Sequence, residues 1–257
     1  MPHSFPFRLG TTSYIIPADL ADNAAHLAAE GVNDMELVLF HTADGMHNTP
    51  DADMIRRLAR IAADHALTYT VHLPFDLRFD PARAHPSLDH AARVIGATAP
   101  LRPHSWVFHL ETRRAGDARW VEDGIRAIET LLPLVDDPRA LTLENLESDP
   151  PEALEPVFAA LPIARALDIG HVWKMGRDPL PVMARWLPWA RVVHLHGVRA
   201  APDGLTDHSA LHHTPREALI PVLRALRGWR GVLTLEVFEA DYATSRAALD
   251  SAWEQIA

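Results

Sequence analysis

Cysteine is absent from the 257 residues, which excludes a disulfide framework, a cysteine-held zinc finger, an iron–sulfur centre and a thiol nucleophile. Lysine is nearly absent: Lys174 is the sole lysine among 24 basic residues. With the abundant alanine, that arginine bias reads as coding-sequence composition and carries no functional weight. No apolar run approaches the roughly 20 residues of a membrane span, and Met1 to Arg8 lacks the basic and apolar stretches of a secretory signal. The expectation is a cytoplasmic protein without a membrane partner. Positive charge is also short, with 24 Lys and Arg against 34 Asp and Glu and a net charge of −10. A sequence-independent grip on nucleic acid needs a basic surface, so no stable nucleic-acid partner is expected. Bound divalent cations limit that objection, because they offset carboxylates locally.

Glycine (12) and proline (21) are too few for a low-complexity or collagen-like chain, while 48% hydrophobic and 23% charged residues match a folded one. Short β-rich runs alternate with longer helical patterns throughout, the signature of a parallel sheet. The runs are Phe7–Tyr14, Asp34–Phe40, Leu67–Leu73, His104–Glu111, Ala140–Asn145, Ile163–Ile169, Arg191–His196 and Val232–Phe238. Helical candidates between them are Ala18–Glu30, Asp51–Ala66, Ser87–Ala99, Ala118–Leu132, Pro151–Leu161, Leu180–Leu187, Pro215–Arg227 and Tyr242–Gln255. Asp19 after Pro17, Pro50-Asp51 and Thr214-Pro215 supply helix starts. Eight units of about 32 residues each predict an α/β chain folded as one (β/α)₈ barrel over residues 1–257. A doubly wound open sheet fits less well, since no Gly-rich phosphate loop follows an early strand.

Alternate strand residues of a barrel point to its axis, and its active site forms at the carboxyl ends of the strands. This alternation turns Glu36 inward on the second run, His72 on the third, His109 on the fourth and Glu144 on the fifth. Asp168 points inward on the sixth, with His171 just beyond; His194 and His196 do so on the seventh, and Glu236 on the eighth. Buried carboxylates without partners cost several kcal/mol each. A single inward histidine is usually a satisfied core residue. Six successive strand ends carrying such groups, with Arg and Lys missing from them, call instead for cations; Zn²⁺ and Mn²⁺ take these ligands. A further cluster, Gly204-Leu205-Thr206-Asp207-His208-Ser209, reads equally as a turn or as extra ligands.

In order, this set resembles the xylose isomerase-like barrel superfamily, and within it the apurinic endonuclease IV branch. The resemblance implies a phosphodiesterase with up to three divalent metals. It would assign His72, His109 and Glu144 to one metal, and Glu144, Asp168, His194 and Glu236 to a second, with Glu144 as the bridge. His171, Asp207 and His208 would hold a third. Asp207 and His208 are adjacent rather than spaced by one residue, and neighbouring side chains of an extended segment diverge. His194 is the ligand by family position; His196 shares its face. A narrower resemblance lies in Gly10-Thr11-Thr12-Ser13-Tyr14-Ile15-Ile16-Pro17-Ala18-Asp19 with Met35-Glu36-Leu37-Val38-Leu39-Phe40. It is similar to the opening of the cobamide-remodelling phosphodiesterase family, CbiR, which implies a small-molecule cobamide as substrate.

Two divalent ions lower the pKa of water and clamp phosphoryl oxygens during in-line displacement. Glu144 would space the metals, and Glu236 or Asp168 would orient the attacking water. Glu36 suits support of a ligand or of a substrate hydroxyl. Thr11, Ser13 and Tyr14 suit substrate contact or loop packing, while Trp173 suits stacking on a ligand ring. The rival reading is a single-metal sugar isomerase or epimerase using Glu144, Asp168, His194 and Glu236, with Arg199 on a sugar hydroxyl or phosphate. A DNA-repair endonuclease, and a protein that binds metal without turnover, are further alternatives.

Overall fold

The computed structural model describes residues 5–42, 44–78, 86–110, 118–202 and 204–256. Met1–Ser4 and Glu111, which enter the expectations above, lie outside them. The strands are β1 (Arg8–Thr12), β2 (Asp34–Val38), β3 (Thr68–Leu77), β4 (Ser105–Leu110), β5 (Leu141–Glu144), β6 (Ala164–Asp168), β7 (Ala190–Leu195), the pair β8 (Gly197–Ala201) and β9 (Gly204–Ser209), and β10 (Val232–Leu235). Eight of them close into a barrel in the order β1-β10-β7-β6-β5-β4-β3-β2, with every neighbouring pair parallel. The expected barrel is therefore the observed one. β8 and β9 form a separate antiparallel hairpin over its mouth.

Helices return the chain between strands: α1 (Leu20–Ala29), α2 (Ala52–His65), α3 (Pro86–Thr98), α4 (Ala118–Leu131), α5 (Glu155–Ala160), α6 (Ile169–Lys174), α7 (Leu180–Trp186), α8 (Arg216–Ala225) and α9 (Glu239–Trp253). Local chemistry sets their ends. Asp19 accepts from the Asp22 amide at 2.9 Å, and Asp51 from the Met54 amide at 2.8 Å, each satisfying a donor left over in a helix's first turn. α2 stops where Ala66 turns left-handed.

The strand period of two sorts the core into parts. Outward residues such as Leu37, Val71, Phe108, Leu143, Leu167 and Val193 are buried under the helices, each such burial being worth about 1.5–3 kcal/mol. Inside the barrel, Val107, Ala166 and Val192 form a small apolar plug of their own. Each lies two residues before an ionisable one (His109, Asp168, His194), so the plug floors the polar layer above it. No helix among the described residues is long and apolar enough to cross a membrane.

Candidate metal centre

The polar layer is organised around Glu144, the last residue of β5. One of its oxygens, Oε2, lies 2.9 Å from His109 Nε2 and 3.3 Å from His72 Nε2. The other, Oε1, lies 2.8 Å from His194 Nδ1. Glu236, just past β10, brings Oε2 within 3.1 Å of the same His194 nitrogen. Ligand atoms of His72, His109 and Glu144 converge within 4.8 Å of one another, as do those of Glu144, Asp168, His194 and Glu236. Glu144 belongs to both groups. The two ligand sets inferred from the sequence are thus each brought together.

Charge in this layer is strongly coupled. Burial alone would raise Glu144, but His194 and His109 outweigh it and hold the carboxylate well below its ordinary range. Burial pulls His194 down, yet Glu144, Glu36 and Glu236 push it well above its usual value. His109 follows the same logic: burial lowers it, while Asp76 and Glu144 at its two nitrogens drive it up to about 10. Without metal, protons on these imidazoles supply the positive charge that the carboxylates demand. Glu236 Oε2 and Glu36 Oε2 are both buried and make no hydrogen bond of acceptable geometry. Buried oxygen and imidazole ligands, with an acceptor left over, fit a hard or borderline divalent cation.

The surrounding contacts orient these ligands. His194 presents Nδ1 to the carboxylates while its Nε2 faces Glu36 Oε1 at 3.1 Å. Glu36 is fully buried, so of the two roles expected for it, support of a ligand is the one its contacts serve. A metal-binding histidine characteristically has a carboxylate on its second ring nitrogen, which fixes ring and tautomer. Asp76 does the same for His109, at 3.2 Å from Nδ1. It arrives there because β3 shifts register against β4 between His72 and Asp76. Sequence reading missed Asp76; Pro74 inside a strand is the available signal, since proline marks a bulge or an edge.

The Asp168-x-x-His171 spacing has a physical origin. Asp168 ends β6 and caps α6, accepting from the His171 amide at 2.6 Å. Asn145, also missed, clamps Asp168 through both its backbone groups, at 2.9 and 3.0 Å. The Asn145 carbonyl accepts from His171 Nδ1 at 2.9 Å, which leaves Nε2 facing Glu147 (3.7 Å) and Asp207 (3.9 Å).

Adjacent Asp207 and His208 do not diverge as an extended segment would. His208 is left-handed, with φ of 48°, and the two side chains stand 3.5 Å apart. That backbone turn brings the adjacent side chains near each other, yet among the described residues Asp207 and His208 do not join one ligand group with His171 as expected. His208 reaches Glu236 at 3.5 Å; burial lowers it, but Glu236 pushes it up to about 10. His171 falls into two groups, one with Asp168, His196 and His208, the other with Glu147 and Asp207. Lys174 brings a cation to carboxylates beyond the barrel's strand ends. Its ammonium lies 2.7 Å from Asp207 and 3.3 Å from Glu147.

His196 accepts the His208 amide on Nδ1 at 2.9 Å and donates from Nε2 to Asp168 at 3.2 Å. With both nitrogens engaged in a fully buried ring, it braces Asp168 rather than facing a substrate. Gly170 makes room for it, since a Cβ there would fall 2.0 Å from the ring. Trp173 is half-buried and packs against the core one turn into α6. Arg199 is exposed on β8, in the hairpin that no strand run anticipated. Thr11 donates to the Leu235 carbonyl at 2.8 Å, and Ser13 accepts from the Val38 amide at 3.1 Å, so both serve packing. Tyr14 does face the mouth. Its ring lies 5.7 Å from that of Phe238, and it lines a groove of about 890 Å³ with Leu20, Phe40 and Met54.

A family model described as the xylose isomerase-like TIM barrel matches residues 24–255. The chain belongs to that family. No curated protein sequence matches it. Among solved xylose isomerase-like folds it is similar to endonuclease IV from Thermus thermophilus, at 19% identity and a TM-score of 0.72, covering 96% of this chain and 99% of that one. It is also similar to a D-tagatose 3-epimerase-like protein at 18% identity and 0.70, covering 97% and 98%. An L-ribulose 3-epimerase follows at 17% and 0.67, covering 97% of each chain. At these identities the likeness is one of fold, and the site's own geometry has to argue the reaction.

Proposed function

We propose that this xylose isomerase-like barrel is a metal-dependent phosphodiesterase, and that its substrate is the nucleotide-loop phosphodiester of an adenosylcobamide. The observation that carries the reaction class is the double engagement of Glu144. A single-metal epimerase needs only the group of Glu144, Asp168, His194 and Glu236. Here the other Glu144 oxygen meets His72 and His109, which supports a second cation position. His72, His109 and Glu144 would hold one ion; Glu144, Asp168, His194 and Glu236 would hold the other. Such ions lower the pKa of water and draw charge from a phosphoryl group.

The chain's own residues supply the rest. Hydrolysis forms one P–O bond from water and breaks the ester P–O bond; the water's proton ends on the leaving alkoxide. Glu236, the most accessible carboxylate of the second group, accepts and orients the attacking water. Tyr14 remains protonated, pushed up to about 12 by burial and then by Glu236, so its hydroxyl is a donor for a phosphoryl or leaving oxygen. At the third position, Lys174 already neutralises Asp207 and Glu147, so two resident ions are assigned and the ammonium stands as the third positive charge.

Support for a cobamide comes from the resemblance of residues 10–19 and 35–40, from the acidic charge, and from the groove beside Tyr14. Phe40 and Phe238 are 49% and 59% exposed and offer apolar faces to a large ring system. The test is incubation of the Mn²⁺-loaded protein with adenosylcobalamin. A cobinamide-type product lacking the lower base is the predicted outcome. An unchanged corrinoid, with epimerisation of a ketose instead, would return the chain to the single-metal reading.

A further inference from the structure

Away from the metal centre, three histidines and an arginine gather on the rim between β2 and α3. The chain after β2 folds into a tight hairpin in which His41 and His47 form an antiparallel bridge. The Thr42 amide donates to the Met46 carbonyl at 2.8 Å, and the Gly45 amide donates to the Thr42 carbonyl at 2.9 Å. Gly45 takes φ of +90°, a conformation open to glycine. This turn stacks the His41 and His47 rings, with centroids 5.9 Å apart and planes 4° from parallel. Opposite them, α3 places His90 and Arg93 three residues apart, on one face. The His90 ring lies 4.1 Å from that of His41. Together with Pro74 and Thr49 these groups line a cavity of about 390 Å³.

In a chain of net charge −10, the described residues lining this cavity include no carboxylate. Nor do the three imidazoles converge within 4.8 Å, as the groups of the metal centre do. A guanidinium fork with imidazoles around it is chemistry for an anion. We propose that the cavity is an anion subsite that takes a phosphate or carboxylate group. His90 is consistent with this: burial lowers it first, Arg93 and His41 lower it further against a smaller upward pull from Asp89, and a bound anion would relieve the net repulsion. His47 and Thr49 also line the groove beside Tyr14, so the two spaces meet. The scissile diester belongs to the metal centre, which makes the anion bound here a second one. The inference does not depend on the cobamide reading.

The experiment follows the imidazole resonances of His41, His47 and His90 in the Zn²⁺-loaded protein, assigned with single His→Asn variants. Inorganic phosphate is added in one arm, citrate in a second, and chloride at matched ionic strength in a third. Resonances that move together and saturate with phosphate or citrate, but not with chloride, support the subsite. The anion that saturates first tells phosphate from carboxylate. Arg93 is exposed, so Arg93→Gln leaves the core intact, and it should weaken binding about tenfold or more. Still resonances in both anion arms, an unchanged affinity in Arg93→Gln, or a response to extra Zn²⁺ alone would each overturn the proposal.

Discussion

Glu144 and His194 stand 2.8 Å apart, both buried, while the other Glu144 oxygen serves His109. One carboxylate therefore joins the two halves of the centre, and its two oxygens do different work. Glu144→Gln keeps the shape but removes one anionic acceptor. Turnover should fall by at least about a hundredfold with the circular dichroism spectrum unchanged. Retained activity in that variant would remove the bridge from the account.

Glu36 supports the centre from beneath. It touches His194 and no open space, so Glu36→Gln should leave the fold in place yet weaken metal affinity by about 10–100-fold. Competition against a chromophoric chelator measures this directly. Unchanged affinity would mean that the His194 ring is held without it.

The electrostatics set a pH dependence. His109 and His208 are each pushed up to about 10, so both carry protons at neutral pH in the metal-free protein. An imidazole must be neutral to ligate. Metal uptake then expels protons, and affinity rises with pH through the neutral range. Calorimetry in buffers of different ionisation enthalpy should show about one proton or more released per ion. Uptake without release would contradict the charge pairing described here.

Gly170 tests the packing of His196. A Cβ would meet the ring at 2.0 Å, and that ring is pinned by Asp168 and the His208 amide. Gly170→Ala should destabilise the protein by about 1–3 kcal/mol in urea denaturation. Stability equal to the parent would show that the ring has room to yield.

How much of this was legible in the sequence depends on the kind of contact. Strand period and spacing place Glu144, Asp168, His194 and Glu236 at one depth because a barrel converts period two directly into direction. Asp76 escaped because its position depends on a register shift after Pro74, which changes which residues face each other without changing the pattern. The nearness of Asp207 to His208 was not legible because the left-handed His208 is a backbone state that composition does not announce. Lys174 lies six residues beyond Asp168, and only the short helix α6 folds it back over Asp207. In each case a local backbone event, rather than patterning, decided the contact.

Metal analysis of the purified protein tests the central claim most directly. Glu144 with ligands on both oxygens, and Lys174 filling the third carboxylate pair, predict two divalent ions per chain; Lys174→Met should open the third position. One ion per chain, held after Lys174→Met as before, would contradict a shared carboxylate between two cations and leave the single-metal barrel standing.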